Sequence, residues 1–402
     1  MVLQPLSTLP LRVTSPTTER EPLFDSMFLG GFECSCQELE DGRRLDLVES
    51  TRHDRFARQD YARLRAAGMS AARDGINWVR SEPREGSFDF ARARQLLKAA
   101  AAEQVQVIWD LMHFGWPSHV DVFSTSFPER LGRLARAFAQ MLKTESDEPP
   151  IIVPINEISY LSWAGGDVSC MNPFQLARGD ELKAQFVLAS IHAMEAVWDV
   201  LPRARFLQPE PLINIVPSPD QPKTWRRVEC DNLYQYGAWD MLSGRSWPAL
   251  GGAPKYLDIV GVNYYPDNQF MLDGTTVRQG EPSYRPFSEM LGETWQRYRR
   301  PMLVAETGCE GDGRAPWLRY VASECLAAMR AGCELHGITL YPILNHPGWL
   351  DERHCKNGLW CYADEQGHRD EHAPLAQELR RQEPLLRAER DQMLATRRLI
   401  SA

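Results

Sequence analysis

The 402-residue sequence lacks any uncharged apolar run of the roughly 18 to 20 residues that a membrane-spanning helix needs. Its first twenty residues also lack the basic start and the apolar stretch of a secretion signal. Basic residues are in the minority, because 45 Lys and Arg stand against 54 Asp and Glu, for a net charge of −9. An acidic balance disfavours nucleic acid and anionic membrane surfaces as partners. We therefore expect a cytoplasmic protein with neither kind of partner.

Metal and phosphate motifs are missing as well. The nine cysteines are odd in number and show no CxxC spacing, which favours reduced thiols in the cytoplasm. There is no glycine-rich phosphate loop and no GxSxG elbow of a serine hydrolase. His346, Asp351, His354 and Cys355 form a cluster that hints at a metal, but their spacing matches no usual zinc pattern. The sequence therefore predicts no metal and no cofactor.

What the chain does contain is a repeated alternation of short apolar runs and amphipathic stretches. The runs predict strands over 27–33, 70–79, 105–111, 151–157, 204–210, 257–265, 301–307 and 337–344. Apolar residues three or four apart predict helices over 56–67, 89–102, 128–143, 181–200, 316–331 and 374–397. A further apolar segment lies near 231–242, and the proline-rich stretches 209–222 and 281–286 are interpreted as loops.

Apolar strands that alternate with helices pair in parallel, and eight such units favour a closed barrel over an open sheet. The predicted fold class is therefore α/β, a (β/α)8 TIM barrel. We expect a leader segment over 1–25 and a single catalytic barrel over 26–402 that ends in a helix.

Two carboxylates stand where predicted strands end, which in such a barrel is the rim that carries the active site. Glu157 lies at the end of the fourth predicted strand and Glu306 at the end of the seventh. A pair of carboxylates at a barrel mouth suits glycosidic bond cleavage, since one protonates the leaving oxygen and the other attacks the anomeric carbon. The twelve Trp and twelve Tyr offer platforms that stack on a sugar. This pattern predicts a carbohydrate substrate.

Several segments resemble the motifs of retaining β-glycosidases of glycoside hydrolase family 1, within the large barrel clan. They are FLGGFECSCQELEDG (28–42), DYARLRAAGMSAARDGINWVR (60–80), LMHFGWP (111–117), PINEISY (154–160), DIVGVNYY (258–265), LVAETG (303–308), YPILNHPGWL (341–350) and KNGLWCYAD (356–364). The resemblance runs from about residue 27 to 370 and implies a short, divergent member.

The resemblance implies roles for individual residues. Glu157 would be the proton donor and Glu306 the nucleophile, with Tyr265 supporting Glu306 and Tyr264 as the competing choice. The other implied substrate-binding residues are Gln37, Arg73, His113, Asn156, Tyr341 and Trp349. Among them, Asn156 would bind the sugar 2-hydroxyl, and Tyr341 replaces a stacking Trp.

One departure bears on sugar identity. Gly348 stands where the family has a Glu that holds outer hydroxyls of the terminal sugar. The groups expected on the same rim that could replace it are Asn345, His346 and Gln37. The departure predicts weaker discrimination between glucosides and galactosides, or a sugar altered at its outer carbons, including a 6-phosphate.

The expected function is that of a retaining, exo-acting β-glycosidase, resembling a β-glucosidase or β-galactosidase and working by double displacement. Transfer of the sugar to another acceptor remains open. Two alternatives stand beside it: a related clan hydrolase that acts on longer β-glucans, and a catalytically silent barrel that binds sugars. Neither the aglycone nor the oligomeric state follows from the sequence.

Overall fold

The computed structural model describes residues 21–220, 222–349 and 353–401. Eight parallel strands close into a barrel in which each strand pairs with the next in the chain, and the last pairs with the first. We number them β1 to β8: Phe28–Gly31, Ala71–Gly75, Gln106–Met112, Ile151–Ile155, Arg205–Pro211, Ile259–Asn263, Met302–Thr307 and Leu335–Leu340. The predicted (β/α)8 barrel is confirmed.

The helices surround this barrel. In chain order α1 to α12 are Leu47–Thr51, His53–Ala66, Trp78–Ser81, Ala91–Ala102, Phe127–Glu145, Ile158–Ser162, Gly179–Trp198, Trp225–Tyr234, Gly237–Leu242, Phe287–Tyr298, Arg314–Arg330 and Ala373–Ser401. A π-helical turn, Trp163–Asp167, follows α6. No helix in the described ranges combines the length and the apolar character that crossing a membrane requires.

The core has two layers because strand side chains alternate between the two faces of the sheet. On β7, Leu303 and Ala305 join the apolar cluster that fills the barrel, while Met302 and Val304 join the cluster between strands and helices. Phe24, from the predicted leader, is buried in the inner cluster. Residues 1–20 of that leader lie outside the described residues.

A buried ionic network ties α2 to β2 and to the segment before α12. The ring nitrogens of His53 lie 2.9 Å from Asp60 Oδ2 and 3.0 Å from Asp74 Oδ2, and Arg369 donates to Asp60 at 2.8 Å. Burial opposes the charge of His53, but Asp74 and Asp60 outweigh it and raise its pKa to about 9. The network is therefore an ion pair inside the protein and not a surface contact.

Two short two-stranded sheets lie outside the barrel. Cys36–Glu38 pairs antiparallel with Arg44–Asp46, and Asn214–Val216 pairs in parallel with Gln269–Met271. The interpretation of 209–222 as a loop was therefore wrong in part, because β5 runs to Pro211 and a second strand follows. Prolines fit there since strand ends tolerate a missing N–H group.

Candidate active site

Glu306 lies at the mouth of the barrel and is only 1% exposed. The pairing of β7 with β6 shifts register between Val304 and Glu306, an irregularity of the kind that re-aims a side chain. Arg73 Nη1 donates to one carboxylate oxygen at 2.7 Å, and Tyr265 Oη donates to the other at 3.0 Å. Both oxygens of Glu306 are thus held by donors, one of which carries a positive charge.

The structure separates the two tyrosines between which the sequence did not decide. Tyr265 faces Glu306, whereas Tyr264 turns outward and stacks on Phe287 with ring centroids 4.1 Å apart. The hydroxyl of Tyr264 lies 2.9 Å from that of Tyr284. Neighbouring residues at a strand end point to opposite sides, so only one of the two can reach the site.

Arg73, on β2, is fully buried and joins three side chains at the mouth. Beyond Glu306, it donates to both oxygens of Asp110, at 3.0 and 2.7 Å, and to Asn156 Oδ1 at 2.7 Å. Burial opposes charge on Asp110, but Arg73 and His113 outweigh that cost and lower its pKa. Arg73 therefore fixes the positions of the ends of β3, β4 and β7 relative to one another.

His113 lies directly after β3 and is also buried. Its Nδ1 lies 2.7 Å from Asp110 Oδ2, and its ring stacks on Tyr341 with centroids 5.4 Å apart. Burial lowers the pKa of His113, but the charges of Glu33, Glu306 and Asp110 raise it overall. The surrounding carboxylates thus favour the protonated form of this imidazole.

Glu157 occupies a different environment from Glu306. It follows β4 in a left-handed backbone conformation, with φ of 46°, and is 7% exposed. Its described hydrogen bond comes from Asn263 Nδ2 at 2.8 Å. Burial and the charge of Glu306 raise the pKa of Glu157 well above its ordinary value, although the Asn263 bond opposes them. The site therefore favours the protonated over the ionised form of the Glu157 carboxyl group.

A third acidic residue, Glu210 on β5, adds to this effect. It is buried, accepts a hydrogen bond from the Ser159 N–H at 2.9 Å, and its negative charge raises the pKa of Glu157. Burial raises the pKa of Glu210 itself to about 7. Burial also lowers the pKa of the neighbouring Lys183.

Glu33 is a site residue that the sequence analysis missed. It lies two residues past β1, within the quoted motif, and is 4% exposed. Its Oε1 accepts from the Ser35 N–H at 2.9 Å, and its Oε2 accepts from Trp349 Nε1 at 3.3 Å. Gln37 lies close by but donates to the Trp349 carbonyl. Glu33, Gln37 and Trp349 thus form one connected group at the β1 side of the mouth.

Aromatic side chains form a row across the opening. Ring centroids lie 6.0 Å apart from Trp163 to Tyr160, 6.1 Å from Tyr160 to Phe114, and 5.4 Å from Phe114 to Trp349. Trp163, at the outer end, is 51% exposed, and Tyr160 and Trp349 are half-buried. Such a row offers apolar faces on which sugar rings stack.

A cation has poor ligands at this mouth. Within the described ranges, Cys34, Asp110 and His113 could place three ligand atoms within 4.8 Å of one another. Asp110, however, is bound to the Arg73 guanidinium, which repels a cation. Burial raises the pKa of the Cys34 thiol well above its ordinary value, which disfavours the thiolate. Of the cluster around His346, Asp351 lies outside the described residues.

No family model and no curated protein matches the sequence. The fold, in contrast, is similar to solved structures of β-glucosidases. A family 1 β-glucosidase from Thermotoga maritima superposes with a TM-score of 0.69 at 13% identity, over 85% of this chain and 89% of that one. A β-glucosidase from Thermotoga maritima in complex with glucoimidazole gives 0.72 at 12% identity, over 89% and 98%. A hyperthermophilic β-glucosidase mutant gives 0.72 at 15% identity, over 90% and 100%.

Identities this low make the likeness one of fold. The sequence motifs resemble those of family 1, and the closed parallel barrel superposes on β-glucosidase structures. The two observations therefore agree. The resemblance of this chain to family 1 β-glucosidases is therefore confirmed for its fold.

Proposed function

We propose that this protein is a retaining β-glycosidase that cleaves terminal β-linked sugars by double displacement. The observation that carries the proposal is the contrast between two buried carboxylates at one barrel mouth. Glu306 is held by a guanidinium and a phenol, whereas burial and the charge of Glu306 raise the pKa of Glu157. Groups whose environments differ in this way suit an acid and a nucleophile.

In the first step of the proposed reaction, a carboxylate oxygen of Glu306 attacks the anomeric carbon. Glu157 gives its proton to the leaving glycosidic oxygen, so that the sugar–oxygen bond breaks as the sugar–Glu306 bond forms. Arg73 and Tyr265 hold the attacking group in one orientation. The raised pKa of Glu157 favours the protonated form that this step needs.

In the second step, Glu157 removes a proton from water, and the water displaces Glu306 from the anomeric carbon. Two inversions give net retention. A sugar hydroxyl in place of water would give transglycosylation. This scheme requires the carboxyl groups of Glu157 and Glu306 to lie about 5 to 5.5 Å apart.

The remaining predicted residues are proposed to bind the sugar. Asn156 bonds Arg73, and His113 lies 4.0 Å from Glu306. Gln37 and Trp349 bond each other beside Glu33. The Tyr341 ring packs against Arg73 and His113. Burial, and then the charge of Glu157, raise the pKa of Tyr160. The row from Trp163 to Trp349 is accordingly proposed as the platform for the aglycone and the terminal sugar.

We also propose that the enzyme works in the cytoplasm with no metal and no cofactor. Cys34, Cys325 and Cys333 are buried free thiols in the structure, which fits a reducing compartment. Both proposed steps use only carboxyl groups and water.

The test compares Glu306→Ala with Glu157→Ala on 4-nitrophenyl β-glycosides. Glu306→Ala should lose turnover of every substrate, because no covalent intermediate can form. Glu157→Ala should still carry out the first step, since nitrophenolate leaves with little protonation, and should then stall. Added azide should release the sugar from Glu157→Ala and restore turnover.

The matched control is Glu310→Gln, which changes a carboxylate on the same rim that is paired with Arg353. Its turnover should equal that of the wild type. Equal losses in the two alanine variants, without rescue by azide in either, would contradict the assigned roles.

A further inference from the structure

The absence of a side chain at Gly348 leaves open which group holds the outer hydroxyls of the terminal sugar. The three residues that the sequence suggested for this role already contact other groups of the protein. Asn345 Oδ1 accepts from the Gly358 N–H at 2.8 Å, and His346 contacts the Pro347 carbonyl. Gln37 donates to the carbonyl of Trp349. None of these three presents a side-chain acceptor comparable to a carboxylate.

Glu33 does present one. Its two oxygens accept from the N–H and hydroxyl of Ser35 and from the indole N–H of Trp349. A carboxylate has about four lone-pair positions, so three donors leave capacity for another. His113 Nε2, 3.8 Å from Oε1, is too far away for a hydrogen bond and so leaves that capacity unused.

His113 also relates Glu33 to the reacting groups. Its Nε2 lies 3.8 Å from Glu33 Oε1 and 4.0 Å from Glu306 Oε1. The two carboxylates therefore flank one imidazole. A sugar whose anomeric carbon meets Glu306 would extend its far side toward Glu33 and the Trp349 ring.

The charge of Glu33 is maintained by its neighbours. Burial opposes the charged form, but the imidazoles of His113 and His346 and the two bonds from Ser35 lower the pKa of Glu33 overall. A buried carboxylate in this state accepts hydrogen bonds and donates none.

Building on the proposed function, we infer that Glu33 binds the outer hydroxyls of the terminal sugar and restricts the substrate to neutral sugars with hydroxyl donors at those carbons. A 6-phosphate or a uronic acid carboxylate would place a second anion against the buried carboxylate of Glu33. Such a pair of anions is strongly unfavourable. A 6-phosphoglycoside, which the sequence left open, is therefore excluded as the preferred substrate.

The experiment measures kcat/KM of the wild type, Glu33→Gln and Glu310→Gln on four 4-nitrophenyl glycosides: β-glucoside, β-xyloside, β-glucuronide and 6-phospho-β-glucoside. The xyloside lacks the hydroxymethyl group and so loses one outer donor. Glu33→Gln should lower the ratio of glucoside to xyloside about tenfold, since bonds to charged acceptors are stronger than bonds to neutral ones. Glu33→Gln should also reduce the difference in kcat/KM between the neutral and the anionic glycosides.

A merely structural role for Glu33 would lower all four rates together and leave the ratios unchanged, which would overturn the inference. A wild type that prefers the 6-phosphoglucoside or the glucuronide would overturn it as well. Glu310→Gln should leave every ratio at the wild-type value.

Failure of the proposed function has a separate signature, which is a wild type that cleaves none of the four glycosides. The Glu33 assignment is then decided by calorimetric titration with glucose and with xylose. The wild type should bind glucose more tightly than xylose, and Glu33→Gln should lose that preference. Equal preference in both proteins would overturn the assignment.

Discussion

Asn263 offers a sharp test of what sets the pKa of Glu157, the proposed acid. It is fully buried, and its Nδ2 donates to Glu157 at 2.8 Å. A donor stabilises the charged form of a carboxyl group and so lowers its pKa. Asn263→Ala removes that donor, which should raise the pKa of Glu157 further. Hydrogen bonds to charged groups contribute about 1.5–3 kcal/mol, and about 1.4 kcal/mol corresponds to one pKa unit. The expected rise is therefore about one to two units.

The assay is the pH dependence of kcat/KM on a phenyl β-glycoside, whose poor leaving group needs protonation. The basic limb reports loss of the proton from the free enzyme's acid. In Asn263→Ala this limb should move to higher pH. Asn214→Ala is the matched control, because Asn214 is also buried and donates to Gln269 but contacts neither Glu157 nor Glu306. A basic limb that stays in place or moves to lower pH would refute the reasoning about Glu157.

Two further predictions concern stability. The pKa of His53 is raised from 6.5 to about 9, so its stabilisation should be complete below pH 6.5 and lost as the pH rises through 9. Urea unfolding of wild type and His53→Gln should differ by about 3 kcal/mol more at pH 6 than at pH 10, and a gap that does not depend on pH would contradict this. A Cβ at Gly31 would lie 2.0 Å from the Tyr341 ring, so Gly31→Ala should cost about 1–3 kcal/mol and reduce activity. A Cβ at Gly292 would have no atom within 4 Å, so Gly292→Ala should leave the melting temperature unchanged or raise it slightly. Equal melting temperatures of the two variants in thermal unfolding would contradict the packing argument.

The barrel could be predicted because parallel strands buried on both faces leave continuous apolar runs in the sequence. Strand ends were less predictable. The second strand was expected to reach residue 79, but Asn77 adopts a left-handed conformation with φ of 53° and caps α3 through the Arg80 N–H. The helix Phe287–Tyr298 was missed, although its buried residues follow helical spacing, because polar residues dilute the pattern.

The part of the candidate site that lies within recognisable sequence motifs could be predicted. Glu157, Glu306 and Arg73 come together at the mouth because strand ends of a barrel converge there. Glu33 could not be found in the same way, since its direction depends on the turn after β1 and on the distant indole of Trp349. The contacts of Asn263 with Glu157 likewise join residues 106 positions apart. The spacing of residues along the chain does not show which distant residues come into contact.

The most direct test of the central claim is the configuration of the product that Glu157→Ala forms with azide. If Glu306 forms a covalent intermediate, azide displaces it from the opposite face and proton NMR should show a β-glycosyl azide. An α-glycosyl azide would mean a single displacement, and with it Glu306 could not be the nucleophile of a retaining enzyme.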